Sequence, residues 1–257
     1  MRIARRTLPP LALLATLLGA WELYVDLGGV DGVILSAPHQ IAQAIADDRS
    51  LLWSNFLVTF QEVIFGIAVA AVVGVALAVV IHLSASLRGA AYPLVVASQT
   101  IPVVLLAPLL MLWFGFGILP KVIVVALVSF FSIVVTTLDG LAGVDPQLLK
   151  LMRTFDASRW RTLRSVEFPA ALPGVFTGTK IAVAVAVIGA VIGEMTGGSN
   201  AGLGYLFLLS INQLLTPRAY AAVVILSIFA IALFALLTLA ERLALPWAYE
   251  PRGERSS

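Results

Sequence analysis

Few side chains in this sequence could do chemistry, and their types exclude most of it. There is no cysteine, so thiol catalysis, disulfides and thiolate-held metal are absent. The two histidines, His39 and His82, are too few for a histidine-built metal centre or general-base network. No nucleophile–base set is visible, which argues against an integral membrane enzyme. What remains is two groups of polar residues. One is a set of isolated side chains inside apolar runs: Glu62, Gln99, Thr100 and Glu194. The other is a charged island, Asp139–Pro173, holding Lys150, Arg153, Arg159, Arg161 and Arg164. Isolated groups of the first kind bind or orient; an island of the second kind offers a surface.

The elements that position them are set by composition. Hydrophobic residues make up 60% of the 257 and charged residues 12%, with mean hydropathy +1.02; a soluble domain carries about 25% charged residues. This is an all-α membrane protein, and a net charge of +2 gives no ground for a nucleic-acid partner. A bilayer core needs roughly 20 apolar helical residues. Six such spans are expected, at about 8–27, 56–81, 92–114, 120–138, 174–195 and 219–240. Gly115-Phe116-Gly117-Ile118 makes a tight turn between the third and fourth, and Pro120 opens the fourth. Thirteen of the sixteen Lys and Arg fall on one side, counting Lys180, which can snorkel there. Arg49, Lys121 and Arg218 fall on the other. Both termini and the island are therefore expected in the cytoplasm. The partition is a cytoplasmic N-terminus 1–7, a six-span domain 8–243 with the loop 139–173, and a cytoplasmic tail 244–257. The first span follows Arg5 and Arg6 like a signal peptide but lacks a small-x-small cleavage site, so an uncleaved anchor is expected. Residues 28–54 lie outside. Ser36 and Pro38 start a short surface helix there, with a solvated connector as the alternative.

Within the spans, Gly66, Ala70, Gly74 and Ala78 repeat every four residues in the second, and Gly189 and Gly193 belong to a small-residue run in the fifth. Such faces admit a neighbouring backbone; tight packing and a moving interface both fit. Gln99-Thr100-Ile101-Pro102 puts two hydrogen-bonding side chains beside a proline that loosens the backbone, and Pro108 repeats the break. A pathway lining of Gln99, Thr100, Pro102 and Glu194 and a kinked packing helix remain alternatives. Glu194 alone could also cap the exit loop, and Glu62 could lie at the interface.

The island reads as two amphipathic helices. Asp145-Pro146 is a helix start, followed by Leu148, Leu151, Met152 and Phe155 on one face. The pattern breaks at Asp156-Ala157, and Ser158 caps a second helix bearing Trp160, Leu163 and Val166. Pro169 and Pro173 end the loop. The residues alone leave open a basic loop that holds anionic lipid.

The stretch resembles the Glu-Ala-Ala loop of permease subunits of bacterial ABC importers. Val166, Phe168 and Pro169 fit its hydrophobic end, Asp156 fills its glycine slot, and Lys150, Leu151 and Met152 fill the Glu-Ala-Ala slots. Ala157–Trp160, Pro169–Pro173, Ser98–Pro102, Ala107-Pro108-Leu109, Trp113–Gly117, Gly193-Glu194 and Gly202–Tyr205 extend the likeness over nearly the whole chain. Together they resemble the nitrate/sulfonate/taurine group, which includes pyrimidine-precursor and riboflavin permeases. The resemblance implies a type I ABC importer permease fold with a cytoplasmic coupling-helix loop. It implies a second permease subunit, as a homodimer, two cytoplasmic ATPase subunits, an extracytoplasmic binding protein and surrounding lipid. Coupling falls to Lys150, Arg153, Phe155, Asp156, Ala157, Ser158, Arg159 and Trp160. No lysine completes a G-x-x-x-x-G-K loop, so ATP and Mg belong to the partner ATPase and no cofactor to this chain. Lys150 reverses the motif's charge, and Asp156 must take a turn suited to glycine. The alternative is a stand-alone secondary transporter or channel; paired intramembrane charges, which would favour it, are not apparent in the sequence. The outer loop Gly197–Arg218 resembles the pyrimidine-precursor and riboflavin branch slightly more than the sulfonate branch, so the resemblance implies a thiamine-precursor pyrimidine as cargo, with sulfonate, taurine, nitrate and riboflavin as the alternatives.

Overall fold

Proline, glycine and polar caps set the helix boundaries in the computed structural model, which describes residues 2–28, 34–84, 87, 89–90, 93, 95, 97, 100–196 and 199–248. Gln99 and the tail from residue 249 lie outside the described residues. All described elements are helical. Helix α1 (Arg2–Leu27) contains the first expected span, 8–27, and begins six residues before it. Helix α2 (Pro38–Asp47) is the expected short helix: Pro38 occupies its first turn, and Gln40 Oε1 accepts from the Ala37 N–H at 3.1 Å. Helix α3 (Arg49–Leu83) has 35 residues rather than an isolated span. At 1.5 Å per residue it is about 50 Å long, so it projects beyond a 30 Å hydrocarbon core.

The third expected span departs from a single helix. The backbone breaks at Thr100–Pro102, and α4 (Val103–Phe114) is only 12 residues long. Pro108 lies inside α4 and does not repeat the break. Its missing N–H removes one i→i−4 bond, that of the Val104 carbonyl, without ending the helix. Gly115, at φ 81, turns the chain into α5 (Ile118–Ala142). The loop expected in the cytoplasm holds α6 (Pro146–Thr154) and α7 (Arg159–Thr162). A π-turn, Leu163–Glu167, then joins α7 to α8 (Phe168–Thr196). Helix α9 (Leu203–Asn212) lies within the expected outer loop, and α10 (Thr216–Ala244) is the last span. Four described helical stretches are long and apolar enough to cross a membrane: Arg49–Leu83, Ile118–Ala142, Arg159–Thr196 and Thr216–Ala244.

The chain divides into two compact units. One comprises residues 1–58 and 200–227. It is tied by a bidentate Arg218–Asp48 pair at 2.6 and 2.9 Å, by the Gly202 N–H donating to Asn55 Oδ1 at 2.8 Å, and by Trp21 edge-on to Tyr220. Glu22 meets both the ring and the backbone N–H of His39. The other unit comprises residues 59–199 and 228–257, with α5 packed along α8 at its centre. Close approach there depends on glycine. A Cβ on Gly178 would stand 2.1 Å from Thr136 Oγ1 and 2.8 Å from the Ser132 carbonyl oxygen. Across α3 and α5, a Cβ on Gly66 would stand 2.3 Å from Val125 Cγ1. Many large apolar side chains on the spans face outward, among them Val72, Ile231 and Leu243, as lipid-facing positions must.

Candidate functional site

The loop between α5 and α8 is built from its caps. Asp145 Oδ1 accepts from the Gln147 N–H at 2.8 Å, and Pro146 fills the first turn of α6. Ser158 Oγ accepts from the Arg161 N–H at 3.3 Å and starts α7. Between them α6 ends in a Schellman turn: the Ala157 N–H bonds the Met152 carbonyl, and the Asp156 N–H bonds the Arg153 carbonyl. Asp156 takes φ 47 there, the left-handed conformation for which glycine is the usual choice.

No residue of α6 is buried. Leu148 is 47% exposed, Leu151 50%, Phe155 69% and Trp160 62%. Lys150, Arg153, Asp156, Ser158 and Arg159 are exposed beside them, with Ala157 half-buried. The loop thus presents aromatic and aliphatic side chains framed by cations, the composition expected of a protein interface. Its root is buried: Leu163 packs with Leu141 and Ala171.

The expectation that Pro169 and Pro173 end the loop is corrected. The chain stays helical from Arg159 through Thr196. In an α-helix the Pro169 ring would clash with the carbonyl four residues back, at Ser165. The π-turn contains that carbonyl, and the Phe168 N–H reaches five residues back to Leu163. Widening the helix there lets it pass through a proline.

Glu167, the last π-turn residue, is 1% exposed. Its Oε1 accepts from Arg159 Nη1 at 2.6 Å, and its Oε2 lies 3.2 Å from His82 Nε2 at the end of α3. The His82 side chain is buried, whereas that of Arg159 is half exposed. One carboxylate thus joins the exposed loop to two span helices.

At the other end of the same core is a second charge cluster. Lys121 Nζ donates to Glu62 Oε1 at 2.7 Å and to Ser199 Oγ at 2.8 Å, and the Thr59 hydroxyl donates to Glu194 Oε1 at 2.6 Å. All five residues are buried. Glu62 is therefore not at an interface, and Glu194 is held in this cluster. Lys180 does not snorkel; its Nζ pairs with Glu241 at 2.8 Å. Charges are thus paired inside the spans, contrary to the sequence expectation. The partners Lys121 and Glu62 are 59 residues apart in the chain. The only sequence signal was that both lie near the same end of their spans.

Of the expected pathway residues, Thr100 and Pro102 are exposed at the break before α4. The Thr100 hydroxyl bonds the Ala97 carbonyl at 2.8 Å. Next to them is a groove of about 290 Å³ lined by residues that include Ile101, Val103, Phe131, Ile188, Gly189 and Ile192; among the described residues none of its lining carries a polar or charged side chain. A Cβ on Gly189 would stand 2.7 Å from Val128 Cγ2 and one on Gly74 3.2 Å from Ile133 Cγ2, whereas Gly193 has ordinary room, 3.7 Å from Lys121.

Comparison with known proteins agrees with this architecture. The family described as "Binding-protein-dependent transport system inner membrane component" matches residues 63–246. The chain is 36% identical to the formylaminopyrimidine transport permease protein ThiX of Halalkalibacterium halodurans, over 96% of this chain and 98% of the relative. It is 35% identical to the riboflavin transport system permease protein RibX of Chloroflexus aurantiacus, over 91% and 88%. A solved structure of the MetNI methionine ABC transporter in inward-facing conformations shares the fold, with TM-score 0.52 and 18% identity over 72% of this chain and 94% of that one.

Proposed function

The chain belongs to the inner-membrane components of binding-protein-dependent transport systems, and from that membership we propose how it works as the permease subunit of an ABC importer. The exposed face of α6 and α7 docks onto a separate cytoplasmic ATPase, which holds ATP and Mg. Phe155 and Trp160 are the apolar anchors; Lys150, Arg153 and Arg159 supply the charge, and acidic groups on the ATPase complement them. Asp156, Ala157 and Ser158 make the turn that presents both helices. The observation that carries this reading is the loop itself: four large apolar side chains held out from a root that is otherwise buried. A stand-alone carrier has no use for such a surface.

A second permease copy completes the path, and an extracytoplasmic binding protein feeds it. The path runs past Thr100 and Pro102 and along the groove beside Ile101 and Phe131. Among the described residues that groove offers no cation to a sulfonate or nitrate, and its apolar walls suit a flat heterocycle. Together with the likeness to a formylaminopyrimidine permease, this favours a thiamine-precursor pyrimidine over taurine or sulfonate as cargo. The test is uptake into proteoliposomes holding the permease, its ATPase and its binding protein. ATP-dependent uptake of formylaminopyrimidine, with none of taurine, is expected. Uptake that continues without the ATPase would establish the stand-alone reading, which the buried Lys121–Glu62 pair favours.

A further inference from the structure

We propose that Glu167 is the positioning residue of the coupling loop: it fixes Arg159 at the docking face and passes movement of that face to α3 through His82. This rests on the reading of the loop as the ATPase dock. Three observations carry it. Glu167 is 1% exposed, yet its two oxygens lie against basic side chains on different elements, Oε1 against Arg159 on α7 and Oε2 3.2 Å from His82 Nε2 on α3. A buried carboxylate held this way resists separation from Arg159, because losing that cation leaves its charge uncompensated away from water, and His82 ties the same group to α3. Glu167 also closes the π-turn, the one departure from α-helical pitch between Arg159 and Thr196. Such turns are where a long helix changes register at small cost. Finally, Arg159 straddles the boundary: one guanidinium nitrogen bonds Glu167 while half of the side chain stays exposed. A push on the exposed part therefore meets a buried link to α3 and the root of α8, not a free loop.

A purely structural role would make Glu167 a pin that keeps the loop folded. The two roles separate by experiment. The permease is purified in nanodiscs with its cognate ATPase, and two quantities are measured: the ATPase retained, and the permease-dependent increase in ATP hydrolysis. A third readout is a spin label at Gln147→Cys, specific because the chain has no native cysteine. Glu167→Gln keeps the shape and removes the charge. The expected result is ATPase retention within about twofold of wild type, loss of about tenfold in the stimulated hydrolysis, and a label that no longer changes mobility when ATP is added. Glu167→Asp recovers part of the stimulation. His82→Gln cuts the same link from the α3 side, with the same expected loss, and carries the test if Glu167→Gln does not fold. Stimulation within twofold of wild type in both variants overturns the proposal. So does a parallel fall of retention and stimulation, which would make Glu167 a pin for the docking surface. If wild type retains no ATPase, the docking reading fails first, and the two failures are thereby distinguished.

Discussion

The two buried charge clusters sit at opposite ends of the same helices, and they differ in one respect. Glu62 and His82 are about 30 Å apart along α3, roughly one hydrocarbon thickness. Glu194 and Glu167 mark the matching ends of α8. The far cluster of Thr59, Glu62, Lys121, Glu194 and Ser199 is closed, with every member buried. The loop-end cluster of His82, Glu167 and Arg159 is open on one side, because Arg159 reaches the surface. A closed cluster holds helices together, with no member exposed to receive a push from outside. An open one can also transmit, since a force applied to its exposed member reaches the buried ones. Holding thus falls to the far end, and the coupling proposed above falls to the loop end.

The largest effect should come from breaking the closed cluster. Lys121→Met leaves Glu62 and Glu194 buried without their cation and should cost about 3–5 kcal/mol of stability, read as a fall in thermal unfolding temperature in detergent. Lys121→Met with Glu62→Met should cost less than the single change. If the single variant unfolds at the wild-type temperature, the far cluster does not hold the bundle.

At the loop end the expected effect is on partnership, not on fold. Trp160→Ala removes an exposed side chain, so the unfolding temperature should stay unchanged. Affinity for the ATPase should fall by about 2 kcal/mol, or roughly thirtyfold, as for an aromatic anchor. Unchanged affinity would show that the exposed apolar face is not the dock. Between the two ends, Gly178→Ala forces a Cβ against Thr136 Oγ1 and the Ser132 carbonyl. A loss of about 1–3 kcal/mol is expected from overpacking, visible in the same melting measurement. The smallest effect is at the Schellman turn. Asp156→Gly removes the left-handed cost at φ 47 and should stabilise by no more than about 1 kcal/mol. A destabilisation would mean that the Asp156 side chain contributes more than its backbone costs.

The loop was largely legible in the sequence because its signals are local. Asp145-Pro146 and Ser158 cap the helices they were expected to cap, and Asp156 takes the turn its motif slot required. The break at Thr100–Pro102 was legible for the same reason. Three features were not. The π-turn hides because Pro169 reads as a helix end unless the preceding turn widens. Pro108 reads as a break because the cost of one lost hydrogen bond says nothing about how the helix is packed. The pairing of Lys121 with Glu62, and of Lys180 with Glu241, needs helices brought together from distant parts of the chain. Single-residue reasoning therefore assigned Glu62 and Lys180 to the interface when each was paired with a residue on another helix, Glu62 fully buried and Lys180 partly so.

The division between a holding end and a coupling end is tested most directly by proximity to the ATPase. With no native cysteine in the chain, a photoactivatable crosslinker can be attached at Phe155→Cys or, as the far-end control, at Leu119→Cys, which is exposed. Illumination of the complex in membranes should join the Phe155→Cys position to the ATPase subunit, with a yield that changes on adding ATP, and should leave the Leu119→Cys position unjoined. Crosslinking to the ATPase from Leu119→Cys, or none from Phe155→Cys, would contradict the account.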